Sequence, residues 1–379
     1  MKKLSIAVLL CVLLFLTSCI PQNTEIKHRL VIEGIGIDYD TENKLYELTV
    51  QVLEISGNSA EQGKSSAPVT NYTVKGKTVA EAVGRLSENT GRYPLYSQNR
   101  LILIGSSVTD RQIIRSLNFF VREYTSRPDV FVAAASGNAS EVLTVDASGE
   151  VPAKLIESAI EQCHKNSVSV DTELFDTVNL SLEKTTVFTL PLIEVDDNRI
   201  PERKCMKVTG TRACSLQSEQ KMLSDRETMA LLFITDDIFS GTLSITNEEY
   251  NAALEIIKSK TKTRLTIKDG RPHIEYTVSC KADIVESDSD SFSDFHTIDV
   301  KKIEKHAEET IKASITGLLE RFLKDEKCDI FRIGTMLAQK YPEIYNKLAD
   351  DWQNTLPTIT FSVTADVEIG RIGQMTIRQ

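Results

Sequence analysis

Cys19 is the residue whose neighbours most plainly set up a reaction. A leucine, Leu16, stands three residues before it and a small residue, Ser18, directly before it. This is the lipobox pattern, in which the thiol takes a diacylglyceryl group and cleavage then makes the cysteine the first residue. The segment upstream fits, because Lys2-Lys3 followed by the mostly apolar run 4–16 is the build of a secretory leader. That run is too short to cross a membrane, since about 20 apolar residues of helix are needed to span roughly 30 Å of hydrocarbon. Residues 1–18 are therefore expected to be a lipoprotein signal peptide, and residues 19–27, with Pro21-Gln22-Asn23-Thr24, a lipidated tether. Each acyl CH₂ buried in a bilayer contributes about 0.8 kcal/mol, so a doubly acylated Cys19 would hold the chain there stably. The lipid bilayer is thus an expected partner.

Other reactive residue types form no comparable pattern. Gly34-Ile35-Gly36 follows a strand-like run, yet no third glycine opens a helix after it, so a dinucleotide site is not expected. His306 and Glu309 have the H-x-x-E spacing without a second histidine, which reads as a solvated pair rather than a metal site. Residues 286–294, rich in Asp and Ser, lack the turn glycine and the closing glutamate of a calcium loop. Five cysteines follow the lipobox: Cys163, Cys205, Cys214, Cys280 and Cys328. Their odd number and irregular spacing favour buried single thiols, although Cys205 and Cys214 could meet across neighbouring strands. No catalytic residue, no metal site and no cofactor beyond the covalent lipid on Cys19 is expected.

The whole chain has 379 residues and a formal charge of −10. Losing the leader would remove two lysines and no acid, leaving the remainder more acidic still. Such a surface repels nucleic acid and anionic headgroups at long range, so neither is an expected partner. The length allows two or three domains.

Several elements must carry this surface. Residues 30–37 and 45–53 read as a strand hairpin, the second run alternating Tyr46, Leu48, Val50 and Val52 with polar residues. Residues 56–68 read as a loop. Val79, Ala82, Val83 and Leu86 predict a helix, Leu101-Ile102-Leu103-Ile104 a strand covered on both faces, and residues 113–124 a second amphipathic helix. A buried strand at 130–135 and a helix from Pro152 follow. The polar run 196–204 reads as the domain boundary, with residues 28–200 an N-terminal α/β region of one or two domains and 201–379 a C-terminal α/β domain. In the second half, Ile303, Ala307, Ile311, Ile315, Leu318, Leu319 and Phe322 predict the longest helix, with Glu308–Lys312 and Glu320–Lys324 pairs on its wet side. Residues 359–369 alternate as an amphipathic strand. The expected fold class is α+β (mixed α/β), multi-domain, with helices set on mostly antiparallel or mixed sheets.

One set of motifs, in order, resembles a known family. Ile35-Gly36-Ile37-Asp38 with Leu48-Thr49-Val50-Gln51, then 77–82, then 96–105, then Arg122-Glu123, Arg127 and 132–137, look like that family's successive segments. Cys328-Asp329-Ile330-Phe331-Arg332-Ile333-Gly334-Thr335, the helix start at Pro342, Trp352 and the closing strand to Gly370 complete the pattern. The chain thereby resembles the Ger(x)C family of spore germination lipoproteins across nearly all of its length behind the leader. It departs from the family at Gln98, where histidine is common, at Arg212 and Cys214, and at Ile20-Pro21 directly after the lipobox cysteine. The resemblance implies a fold of three α/β domains, each a sheet with helices on it, and the C subunit of a nutrient germinant receptor: a non-enzymatic lipoprotein on the outer face of the spore inner membrane, working with integral-membrane receptor subunits. A solute-binding lipoprotein of a transporter is the alternative, since the same lipobox and α/β content suit it. A surface-anchored hydrolase would rest on location alone.

Overall fold

The computed structural model describes residues 28–54, 69–185, 187–200, 203–215, 220–246, 251–287, 299–373 and 375–376. The expected leader, Cys19 and its tether, the loop at 56–68 and the core of the Asp/Ser-rich stretch lie outside the described residues.

The opening hairpin forms as expected. Strands β1 (Arg29–Asp40) and β2 (Leu45–Leu53) pair antiparallel with Ile35 opposite Val50, and β3 (Val69–Gly76) extends the sheet beyond β2. On the other side of β1, strands β5 (Leu101–Ile104), β6 (Phe131–Ala135) and β7 (Val187–Ile200) add in parallel, after which β8 (Arg203–Ser215) and β9 (Lys221–Leu223) pair antiparallel. A short β4 (Tyr93–Leu95) lies beside the start of β1 and completes nine strands among the described residues.

The period of two in β5 explains its unbroken apolar sequence. Ile102 and Ile104 face a core built with α1 (Val79–Thr90), α2 (Asp110–Arg122) and α5 (Leu174–Ser181). Leu101 and Leu103 face the opposite core, built with α3 (Ala139–Val142) and α4 (Pro152–Lys165). A central strand between two helical layers has no wet side and needs no polar residue. The Gly34-Ile35-Gly36 motif has a packing role in the second layer. A Cβ on Gly34 would lie 2.7 Å from Ala153 Cβ, and one on Gly36 would lie 3.2 Å from Ala139, so the glycines let α3 and α4 close on β1.

The polar run 196–204 is not a linker between sheets but the turn end of the β7–β8 hairpin, with Asp196 opposite Cys205 and Ile200 opposite Arg203. A hairpin end that carries charged residues has the composition of a linker, and only strand pairing tells them apart. Residues 203–215 thus belong to the first sheet.

Among the described residues the second sheet has five strands in the order β10 (Thr242–Thr246), β11 (Asn251–Lys268), β12 (Arg271–Ser287), β13 (Thr360–Ile372) and β14 (Met375–Thr376). The long β11–β12 hairpin turns at Asp269-Gly270, both at positive φ, as a two-residue hairpin turn requires. Helix α7 (Val300–Glu320) covers one face with the expected stripe, from Ile303 to Leu319. Against it β12 buries every second residue from Ile274 to Ile284. The terminal strand β13 is held parallel to β12.

The mixed α+β class holds, and among the described residues the strands gather into two sheets. The sheets also share a core. Val187, Ala213 and Leu223 of the first sheet and helix α6 (Asp225–Thr235) join the same buried cluster as α7 and strands β10 to β13.

Candidate functional site

The residues singled out near the C-terminus converge where the two sheets meet. Asp329 is buried, and its carboxylate accepts the backbone N–H groups of Ile333 at 2.9 Å and Gly334 at 2.7 Å, closing the first turn of α8 (Ile333–Lys340). Burial pushes this carboxyl up to about 6, and the backbone donors and the nearby Trp352 indole oppose the rise. Residue 334 must be glycine for a local reason: a Cβ there would lie 2.2 Å from Thr185 Oγ1. Thr335 donates to Glu183 beside it. Pro342 opens α9 (Pro342–Leu348) as expected, where its missing N–H is not needed. The 328–335 segment therefore docks helix α8 onto Glu183 and Thr185, just ahead of β7.

A cavity of about 550 Å³ lies between the end of α4 and elements of the second core. Its walls come from the 166–168 loop after α4, from α6, from β10 and from α7. Met229, Phe233 and Ile311 supply apolar surface, while Arg226, Glu255, Thr310 and Ser314 supply polar groups. Gly241, at φ 149, lets the chain pass close to Asn166, and Ser167 donates to the Ser240 carbonyl across the same gap. A concavity of this size and mixture suits a small polar organic molecule.

Two buried acids hold the first sheet to its helices. Asp110 binds Arg212 at 2.8 Å and accepts the Ser215 N–H at 2.7 Å, joining the start of α2 to β8. Arg212 is fully buried, and its Nη2 also donates to the Val108 carbonyl. The departure from the family pattern at Arg212 is thus matched by an acid lying 102 positions earlier in the chain, which no local signal could reveal. Asp38 accepts from Ala139 N at 2.8 Å and Ser140 N at 3.0 Å at the start of α3. Burial raises its pKa against those hydrogen bonds. Its carboxylate has room because residue 105 is glycine; a Cβ there would lie 1.9 Å from Asp38 Oδ1.

The remaining candidates fall elsewhere. Cys19 is outside the described residues. Glu309 is exposed on α7, away from the junction core. Glu320 and Lys324 pair at 3.1 Å, but Glu308 turns to accept the Val367 N–H of β13, as Glu304 does for Ile369. Cys205 and Cys214 lie on one strand, β8, nine extended residues apart, and cannot meet. Cys163 is half-buried and Cys328 buried. Burial pushes the Cys280 thiol up to about 12 and raises that of Cys214 as well. Among the described residues no helix is long and apolar enough to cross a membrane.

Residues 22–195 match the profile of the spore germination protein N-terminal domain, and residues 219–373 match that of the spore germination B3/GerAC-like C-terminal domain. Spore germination protein B3 of Bacillus subtilis (strain 168) is 25% identical over 353 residues, covering 90% of this chain and 90% of that protein. Spore germination protein A3 of the same organism is 25% identical over 360 residues, covering 93% of each. The crystal structure of the GerBC protein superposes with a TM-score of 0.58 at 20% identity, over 89% of this chain and 96% of that one, and so shares the fold.

Proposed function

Since this chain belongs to the Ger(x)C family of spore germination proteins, we propose that it is the lipid-anchored C subunit of a nutrient germinant receptor. It sits on the outer face of the spore inner membrane, tethered by the diacylglyceryl group on Cys19, and binds integral-membrane receptor subunits through its folded surface. Its part in germination is binding rather than catalysis. One observation carries the reading: the two spore germination profiles account for nearly the whole folded region, residues 22–195 and 219–373, behind a lipobox. The tether agrees with the geometry of the fold, because β1 begins at Arg29, ten residues after Cys19. The competing reading as a transporter's solute-binding lipoprotein gives way to the family.

The test replaces Cys19 by alanine in spores that rely on this receptor. Fractionation should find the variant released from the inner membrane, and germination in response to nutrient should fall sharply. Retention of Cys19→Ala on the membrane at the parent level would remove the lipid anchor from the reading. Full nutrient germination by spores lacking the protein would remove the receptor role. Affinity purification of the parent from spore membranes should bring two polytopic proteins with it.

A further inference from the structure

Beside the junction cavity, three segments that are separate in sequence bring together one histidine and two carboxylates. His164 lies in the last turn of α4, Asp171 on the way to α5, and Asp237 just past α6. Their ligand atoms all lie within 4.8 Å of one another. His164 Nε2 stands 3.5 Å from an Asp171 oxygen and 3.8 Å from an Asp237 oxygen. These separations are long for hydrogen bonds, which prefer about 2.7–3.2 Å. They are close to the edge of a tetrahedron around an ion with bonds of about 2.0–2.1 Å, where neighbouring ligand atoms sit about 3.4 Å apart.

The orientation of the imidazole also suits a ligand. Nδ1 lies 3.2 Å from the Ser169 carbonyl, which places the ring proton there and leaves the Nε2 lone pair facing the carboxylates. The ring is 13% exposed and so is held in place, while the two aspartates, at 39% and 58%, leave an open side for water. Arg332 acts on Asp237 electrostatically but makes no ion pair with it among the described residues. Among the described residues neither Asp171 nor Asp237 has a lysine or arginine ion-pair partner, whereas the adjacent Asp236 is taken by Lys260.

We propose that His164, Asp171 and Asp237 form a binding site for a first-row divalent cation, zinc above all, with water completing the coordination. One imidazole nitrogen and two carboxylate oxygens are a poor set for calcium, which gathers about six to eight oxygens, and a good one for zinc. The ion would act as a clamp. His164 and Asp171 flank the first sheet, Asp237 ends a helix whose side chains belong to the second core, and both the 166–168 loop and Ser240-Gly241 line the cavity. Binding would therefore fix the junction and the cavity walls together.

The test titrates zinc chloride into the purified full-length chain, carrying no histidine tag, by calorimetry, and follows the thermal midpoint with zinc and with EDTA. One zinc ion per chain is expected, with a rise in Tm that EDTA reverses. His164→Gln and Asp237→Asn should each weaken binding by about tenfold or more and abolish the rise. Asp237 is exposed enough for its variant to fold, and His306→Gln on α7 should bind as the parent does. Unchanged affinity in His164→Gln and Asp237→Asn, or a parent affinity weaker than about 0.1 mM, would overturn the site.

Discussion

Asp329 shows how far a motif residue can be understood from its own surroundings. Its carboxyl rises from an ordinary 3.8 to about 6 because burial penalises the charge more than its backbone and indole donors favour it. The protonated form is therefore favoured in the folded state. The stabilisation this lends is complete below about pH 4 and is lost as the pH rises through about 6, a change on the order of 3 kcal/mol. Urea unfolding between about pH 4 and pH 7 should thus show the parent losing about that much more stability than Asp329→Asn. Parallel pH dependences for the two proteins would show that this carboxyl does not titrate as described. The sequence marked Asp329, Gly334 and Trp352 as a set, but their partners Thr185 and Glu183 were not legible. They lie about 150 positions earlier, as the 152-residue span from Thr335 to Glu183 illustrates.

At the scale of elements, alternation and helical spacing carried most of the information. The stripe from Ile303 to Leu319 and the alternation along β12 each correspond to one buried face, because a periodic element can bury only what its period puts on one side. The Gly34-Ile35-Gly36 motif looked like ligand chemistry gone missing and is instead the contact surface for two helices. Gly34→Ala should cost about 1–3 kcal/mol, since its Cβ would meet Ala153, and Ala153→Gly introduced alongside it should recover part of the loss. Chemical denaturation of the two single variants and the double variant measures this. Simple additivity would mean that the close approach does not limit packing. The polar run at 196–204 belongs to this scale too. Polarity reports contact with water, and a hairpin end and a linker both have it.

Across the whole molecule, the decisive feature is a core that does not respect the division between the sheets. Val187, Ala213 and Leu223 are buried with α6, α7 and the second sheet. Arg321, just past α7, binds Glu227 of α6 at 2.5 Å and the Met222 carbonyl of β9 at 3.2 Å, and Lys221 binds Glu326 at 2.6 Å. Neither sheet can lose its packing without exposing part of the other's. Scanning calorimetry of the full-length chain should accordingly give one cooperative transition; two well-separated transitions would show that the sheets unfold independently. The sequence by itself determined the elements, the α+β class and, through the ordered motifs, the family. Those are properties of local period and of residue order, which survive in a linear string. The two-sheet arrangement, the Asp110–Arg212 pair, the junction cavity and the meeting of His164, Asp171 and Asp237 were decided only by the tertiary structure. Each depends on packing between segments whose separation in the chain bears no relation to their distance in space.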